Sequence, residues 1–170
     1  VKVLVAPVEG HRFLLVLRGT GLNPDLADSD PQQVGVPPKE VVAQGREGEA
    51  TAAVVNSWIA KARGVLAGHH PANMVVLRGF ARLPHLPSMG ECYKLNPVAI
   101  AAYPMYRGLA RLVGMKVVDC GRSVEEQFAT LARHYAEHDF LFLHIKKTDT
   151  AVEDGDFKRK VQAIEEVDAA

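Results

Sequence analysis

The chain has 170 residues, 48% of them hydrophobic and 24% charged, with 20 acidic and 20 basic side chains that cancel to a formal net charge of zero. This is the composition of a folded domain able to bury a core of its own. The charge balance argues against a nucleic-acid or membrane-surface role, which needs Lys and Arg in excess on one face. No apolar run approaches the roughly 20 residues of a membrane span, and no basic stretch followed by an apolar one opens the chain as in a signal peptide. Cys92 and Cys120 have neither a CxxC nor a Cys/His metal spacing. Both therefore read as buried reduced thiols, which points to the cytoplasm.

In chain order, Val1–Pro7 (VKVLVAP) and Phe13–Arg18 (FLLVLR) are rich in branched apolar residues and predict two strands joined through Glu9-Gly10 as a hairpin. Residues 19–48 are rich in Gly, Pro and Asp without a period. They predict a long loop, either functional or a disordered insertion. Thr51–Leu66 predicts a helix with Thr51 as its N-cap, because Val54, Val55, Trp58, Ile59, Ala62, Val65 and Leu66 recur at helical spacing.

Met74–Leu77 predicts a short buried strand, and Val98–Leu112 a helix opened by Pro97. Met115–Val118 predicts a strand after the Gly114 helix stop. Val124–His134 predicts a helix with a capping box of Ser123 and Glu126. Phe140–Ile145 predicts an apolar strand and Phe157–Val167 a last helix. Strands alternating with helices in the second half predict the α/β class: a parallel or mixed sheet flanked by helices. Trp58 and Tyr135 fall on helices and read as core or partly buried, and the His69-His70 pair reads as a surface turn.

After the last predicted strand comes His144-Ile-Lys-Lys-Thr-Asp149-Thr-Ala-Val-Glu153-Asp154-Gly155-Asp156. Sites in open α/β sheets form in the loops beyond the carboxyl ends of the strands. Carboxylates clustered there suit a hard or borderline metal ion, although an acidic loop is equally a solvated turn.

The segment resembles a motif of the archaeal-type cofactor-independent phosphoglycerate mutases, in the alkaline phosphatase superfamily. In that family a strand ends in His-x-Lys-x-x-Asp and a metal-binding His stands four residues beyond the Asp. Here Asp149 takes the Asp position and Glu153 the His position. The resemblance continues through Gly10-His11-Arg12-Phe13, Leu17–Leu22, Asp28-Ser29-Asp30-Pro31, Asn73–Gly79, Tyr93-Lys94-Leu95, the run from Ile100 to Pro104, and Arg107–Met115.

The resemblance implies an internal piece of such an enzyme. It also implies residues 1–90 as a substrate-binding insert, and 91–170 as the rest of that insert with part of the metal-binding core. The chain begins at Val1 and both ends look cut from something longer, although a processed complete domain looks the same. The implied activity interconverts 3-phosphoglycerate and 2-phosphoglycerate through a phosphoserine whose nucleophile is not in this chain, so the piece alone is expected to be inactive. The implied cofactors are divalent Mn, Mg or Zn ions. Asp149 and Glu153 alone offer too few ligands for tight binding.

His11, Arg12, Asp30, Arg78 and Lys94 are implied as the substrate-binding residues. His11 would contact phosphate, Asp30 the glycerate hydroxyls, and Arg78 and Lys94 would neutralise phosphate or nucleophile charge. Gathering such cations opposes their self-repulsion and so needs a functional reason. Taken singly, Arg78 and Lys94 also read as solvated charges and His11 as a turn residue. Two other functions share these features: another phosphate- or phosphonate-processing member of the superfamily, and a degenerate binding protein without catalysis.

Overall fold

A computed structural model describes residues 1–153 and 155–170, with the backbone alone at Glu153. The chain divides into two compact units: Val1–Pro7 with Phe13–Pro84, and Val8–Arg12 with His85–Ala170.

In the first unit, β1 (Lys2–Pro7) and β2 (Phe13–Arg18) pair antiparallel, with Val5 opposite Leu15. Alternation along β2 turns Phe13, Leu15 and Leu17 onto the buried cluster of Leu26, Val41, Val55, Ile59 and Leu77. Helix α1 (Glu49–Leu66) presents Val55 and Ile59 to that cluster, with Trp58 packed against it and tilted on Phe13 at 5.9 Å between ring centroids. The long segment before α1 is no disordered insertion, since it lends Leu26 and Val41 to the core.

Two expectations fail in this unit. Thr51 does not cap α1: Gly48 holds the N-cap position, and the Thr51 hydroxyl lies buried inside the first turn, accepting from the Asn23 amide at 2.9 Å. A distant donor has captured the hydroxyl that would otherwise have capped locally. Met74–Leu77 is no strand. Leu77 exchanges its main-chain bonds with Ser29 instead, its amide donating to Ser29 Oγ at 2.7 Å and its carbonyl accepting from the Ser29 amide at 2.9 Å.

The second unit holds a three-stranded parallel sheet in the order β4-β3-β5, formed by β3 (Pro97–Ala101), β4 (Lys116–Val118) and β5 (Phe140–His144). Its helices are α2 (Met89–Tyr93), α3 (Pro104–Leu112), α4 (Val124–His134), α5 (Lys147–Glu153) and α6 (Phe157–Asp168). The α/β class expected from the alternation is the class observed.

The expected helix over Val98–Leu112 is in fact a strand followed by a helix. Every residue of β3 is buried, and a central parallel strand reads as a continuous apolar run with no period to betray it. Pro97 opens the strand, where a missing amide is tolerated, and Pro104 opens α3 with its fixed φ. The capping box on α4 forms as expected, with Ser123 Oγ accepting from the Glu126 amide at 3.2 Å. Of the two thiols, Cys120 is buried but Cys92 is exposed on short α2. Tyr135, just past α4, is exposed, against the partly buried position expected for it. No described helix is long and apolar enough to cross a membrane.

Candidate functional site

The loops that leave the carboxyl ends of β3, β4 and β5 surround a cavity of about 340 Å³ within the second unit, lined by Tyr103, Arg122, Glu125, Lys146 and Lys147 among others. This is where an open parallel sheet places its ligands, because the chain leaves β3 towards β4 and returns past β3 to β5.

Tyr103 follows β3, caps α3 and is buried. Its hydroxyl accepts a hydrogen bond from Arg12 Nη1 at 2.8 Å. The ammonium of Lys146 lies 5.7 Å from the centre of its ring, within cation–π range. His144 ends β5, with its imidazole stacked on Tyr106 at 3.5 Å between centroids and 26° between planes. Burial, reinforced by the Lys146 charge, pushes the His144 pKa below the ordinary imidazole value and favours the neutral ring.

Within the acidic segment after β5, Lys147–Glu153 form helix α5 rather than a loop. Asp149 lies in the first turn of α5, where a carboxylate complements the helix dipole. Its carboxylate pairs with Lys146. The hydrogen bond from Lys146, then its charge, holds the Asp149 pKa below the usual carboxylate range. Lys147 pairs with Glu166 of α6. Asp149 thus offers one anionic oxygen donor group. The Glu153 side chain lies outside the described residues, so the described part of this pair is one ligand where a stable metal site takes three or four.

The five expected substrate residues fall in both units. Asp30 and Arg78 belong to the first, and His11, Arg12 and Lys94 to the second. In the first unit the Asp28-Ser29-Asp30 segment is laced to residues 77–79. Asp28 accepts from the Gly79 amide at 2.9 Å, Ser29 binds Leu77, and Asp30 pairs with Arg78 at 3.3 Å. In the second unit His11 is exposed in the turn between β1 and β2, and Arg12 reaches Tyr103. Lys94 ends α2 in the left-handed region at φ 61°, its ammonium donating to the Glu91 carbonyl at 3.0 Å. A non-glycine residue adopts that conformation at a cost of roughly 1 kcal/mol.

Tyr103, which lines the cavity, is not among the site residues expected from sequence. It follows the apolar run 97–101, and assigning that run to a strand would have placed it at a strand's carboxyl end.

Against known proteins, the Metalloenzyme superfamily profile matches residues 13–170. The chain is 44% identical over 168 residues to a Thermosipho melanesiensis protein named probable 2,3-bisphosphoglycerate-independent phosphoglycerate mutase, covering 99% of this chain and 42% of that protein. A Thermus thermophilus protein of the same name is 42% identical, again over 99% of this chain and 42% of its own length. The fold superposes on the solved cofactor-independent phosphoglycerate mutase of Thermoplasma acidophilum with a TM-score of 0.59 and 27% identity, covering 98% of this chain and 47% of that one. The chain therefore spans under half the length of the relatives it matches. With a profile match that takes in β2 and everything after it, the chain belongs to the metalloenzyme superfamily.

Proposed function

We propose that this chain is part of a cofactor-independent phosphoglycerate mutase, which interconverts 3-phosphoglycerate and 2-phosphoglycerate. The observation that carries the reading is the 44% identity to a probable mutase along 99% of the chain. In this reading residues 1–90 belong to the substrate-binding insert, and residues 91–170 carry the rest of that insert with part of the metal-binding core.

The phosphoryl group passes to a serine and returns to the neighbouring hydroxyl, which divides one hard displacement into two. The serine belongs to the larger part of the enzyme that this chain does not span. The residues proposed for substrate, on the resemblance, are His11, Arg12, Asp30, Arg78 and Lys94. Arg78 suits a phosphate or carboxylate by its forked donors, and Asp30 holds that fork through their ion pair while accepting from a glycerate hydroxyl. His11 and Arg12 meet the phosphate, and Lys94 adds a point charge. The Arg12 bond to Tyr103 limits the arginine's freedom.

Asp149 contributes one carboxylate towards a divalent ion, Mn, Mg or Zn, with Glu153 standing where the resemblance expects a His. In this reading the serine nucleophile and the remaining metal ligands lie outside this chain, and Asp149 would serve as one donor, kept anionic by Lys146.

The test is an assay of the full-length protein for 2-phosphoglycerate formed from 3-phosphoglycerate with added Mn²⁺, beside simple phosphate monoesters. Mutase turnover that exceeds ester hydrolysis is expected. Ester or phosphonate hydrolysis without isomerisation would assign another reaction of the superfamily, and no turnover of either would leave a binding protein.

A further inference from the structure

At the far end of the parallel sheet from Asp149, α4 closes on His134, and the turn that leads to β5 carries Glu137 and His138. One donor atom from each of these three lies within 4.8 Å of the other two. We infer that His134, Glu137 and His138 form a structural site for a borderline divalent transition metal, Zn²⁺ above all, at the amino-terminal edge of the sheet. The inference does not depend on the mutase reading.

The donor set comes first. Two imidazoles and a carboxylate suit Zn²⁺ and its neighbours rather than Mg²⁺ or Ca²⁺, which take oxygen ligands. The spacing comes second. Tetrahedral Zn²⁺ with bonds of about 2.05 Å holds its ligand atoms roughly 3.3 Å apart, and His134 Nδ1 already lies 3.4 Å from Glu137 Oε2.

The unmet hydrogen-bond capacity comes third. His138 Nε2 is buried without a hydrogen-bond partner, and His134 Nδ1, also buried, faces the Glu137 carboxylate at 3.4 Å without forming a hydrogen bond. A buried ring nitrogen left so loses hydration that a metal ion would restore, and the same ion would draw the Glu137 contact into a ligand set. The fourth element is the support behind the ligand. The other nitrogen of His138, Nδ1, sits 3.1 Å from the Asn96 carbonyl. A carbonyl can only accept, so Nδ1 is the donor, and in the neutral ring the lone pair falls on Nε2. This is how metal-binding histidines are usually oriented. A cation here also meets the negative end of the α4 dipole.

The site would brace the α4–β5 connection against the entry to β3. Asn96 already ties these together, its amide donating to Asp139 at 2.7 Å and its side chain to the Glu137 carbonyl at 2.8 Å.

The experiment is Zn²⁺ titration of the metal-stripped 170-residue chain against a chromophoric chelator, with H134Q, H138Q and D149N beside it. The original chain should bind one equivalent. H134Q and H138Q should each weaken binding more than roughly 100-fold, beyond what a supporting contact is worth, and D149N should bind as the original does. Co²⁺ in the original chain should show the visible bands of a tetrahedral N/O site without thiolate charge transfer, a readout that needs no variant. Absence of Zn²⁺ binding, unchanged binding in both His variants, loss on D149N alone, or thiolate charge transfer would each overturn the assignment. Retention of the His134–Glu137 contact as a simple ion pair would show as the first of these outcomes.

Discussion

The hydroxyl of Tyr103 accepts a 2.8 Å hydrogen bond from Arg12, although 91 positions separate the two residues. The bond fastens the turn between β1 and β2 to the carboxyl end of β3, both within the second unit. Tyr103→Phe keeps the buried ring and removes the acceptor. A hydrogen bond to a charged group contributes roughly 1.5–3 kcal/mol, and partial exposure of Arg12 puts the expected loss at the lower end. Urea unfolding should show it, and a double-mutant cycle with Arg12→Ala should assign it to this pair.

Ser29 makes a similar argument in the first unit. Its side chain is buried, and Oγ takes the Leu77 amide at 2.7 Å. Ser29→Ala leaves that amide without its acceptor in a dry setting, at a cost of about 1–3 kcal/mol. Ser29→Thr, which keeps the hydroxyl, should retain more stability than Ser29→Ala if the added methyl is accommodated. Equal stability of the alanine variant and the original would show that water replaces the hydroxyl.

Those two bonds also show what the sequence could and could not announce. The hairpin, α4 with its capping box, β5 and α6 were legible because their signals are local: alternation, a Ser-x-x-Glu cap, an apolar run, a helical period. β3 was misread because burial on both faces erases the period that separates strand from helix. The role of Thr51 and the pairing of residues 28–30 with 77–79 depend on partners far along the chain, which no local pattern encodes. The His134, Glu137 and His138 group was in plain view at short spacing. Its distinguishing mark, buried nitrogens without hydrogen-bond partners, exists only once α4 and β5 are packed.

Gly121 holds φ at +67°, just ahead of the α4 cap. A Cβ there would come 2.8 Å from Glu126 Cβ and meet the carboxylate that accepts from the amides of Arg122 and Ser123 at 2.9 and 3.0 Å. Gly121→Ala should therefore undo the capping box as well as strain the backbone, with a loss of about 1–3 kcal/mol. Thermal unfolding beside Glu126→Ala would check this: the two losses should be non-additive in the double variant.

The acid side of the pH dependence follows from His144 and from the carboxylates of Asp149, Glu91, Glu125 and Glu126, which their hydrogen bonds hold below the ordinary range. Burial lowers the His144 pKa from 6.5, so the unfolded chain takes up a proton that the folded chain resists. Its contribution is complete above pH 6.5 and declines as pH falls from there towards the folded value. Asp149 is lowered from 3.8 by Lys146, and its contribution fades only at more acid pH, through the folded value. The thermal midpoint should hold level between about pH 7 and pH 8 and fall in two stages on acidification. His144→Phe, which keeps a ring against Tyr106, should flatten the first stage and leave the second. A first stage unchanged in that variant would assign it to another histidine.

The ion pair of Arg78 with Asp30 separates a functional role from a structural one. The Arg78 side chain is 60% exposed and that of Asp30 20%, at 3.3 Å. Such a pair contributes roughly 0–1 kcal/mol to folding, so Arg78→Ala should barely move the unfolding midpoint. In the full-length enzyme, on the proposed function, the same change removes a forked cation from a phosphate or carboxylate in the transition state. A loss of about 100-fold in kcat/KM is expected, which corresponds to roughly 2.8 kcal/mol of transition-state stabilisation. Arg78→Lys restores the charge but not the fork, and should recover only part of the activity. Asp30→Asn tests the pair from the other side. It keeps a hydrogen-bonding group beside the guanidinium but loses the charge, so activity should fall while the protein stays folded. Full activity in Arg78→Ala, at unchanged stability, would return Arg78 to the role of a solvated surface charge.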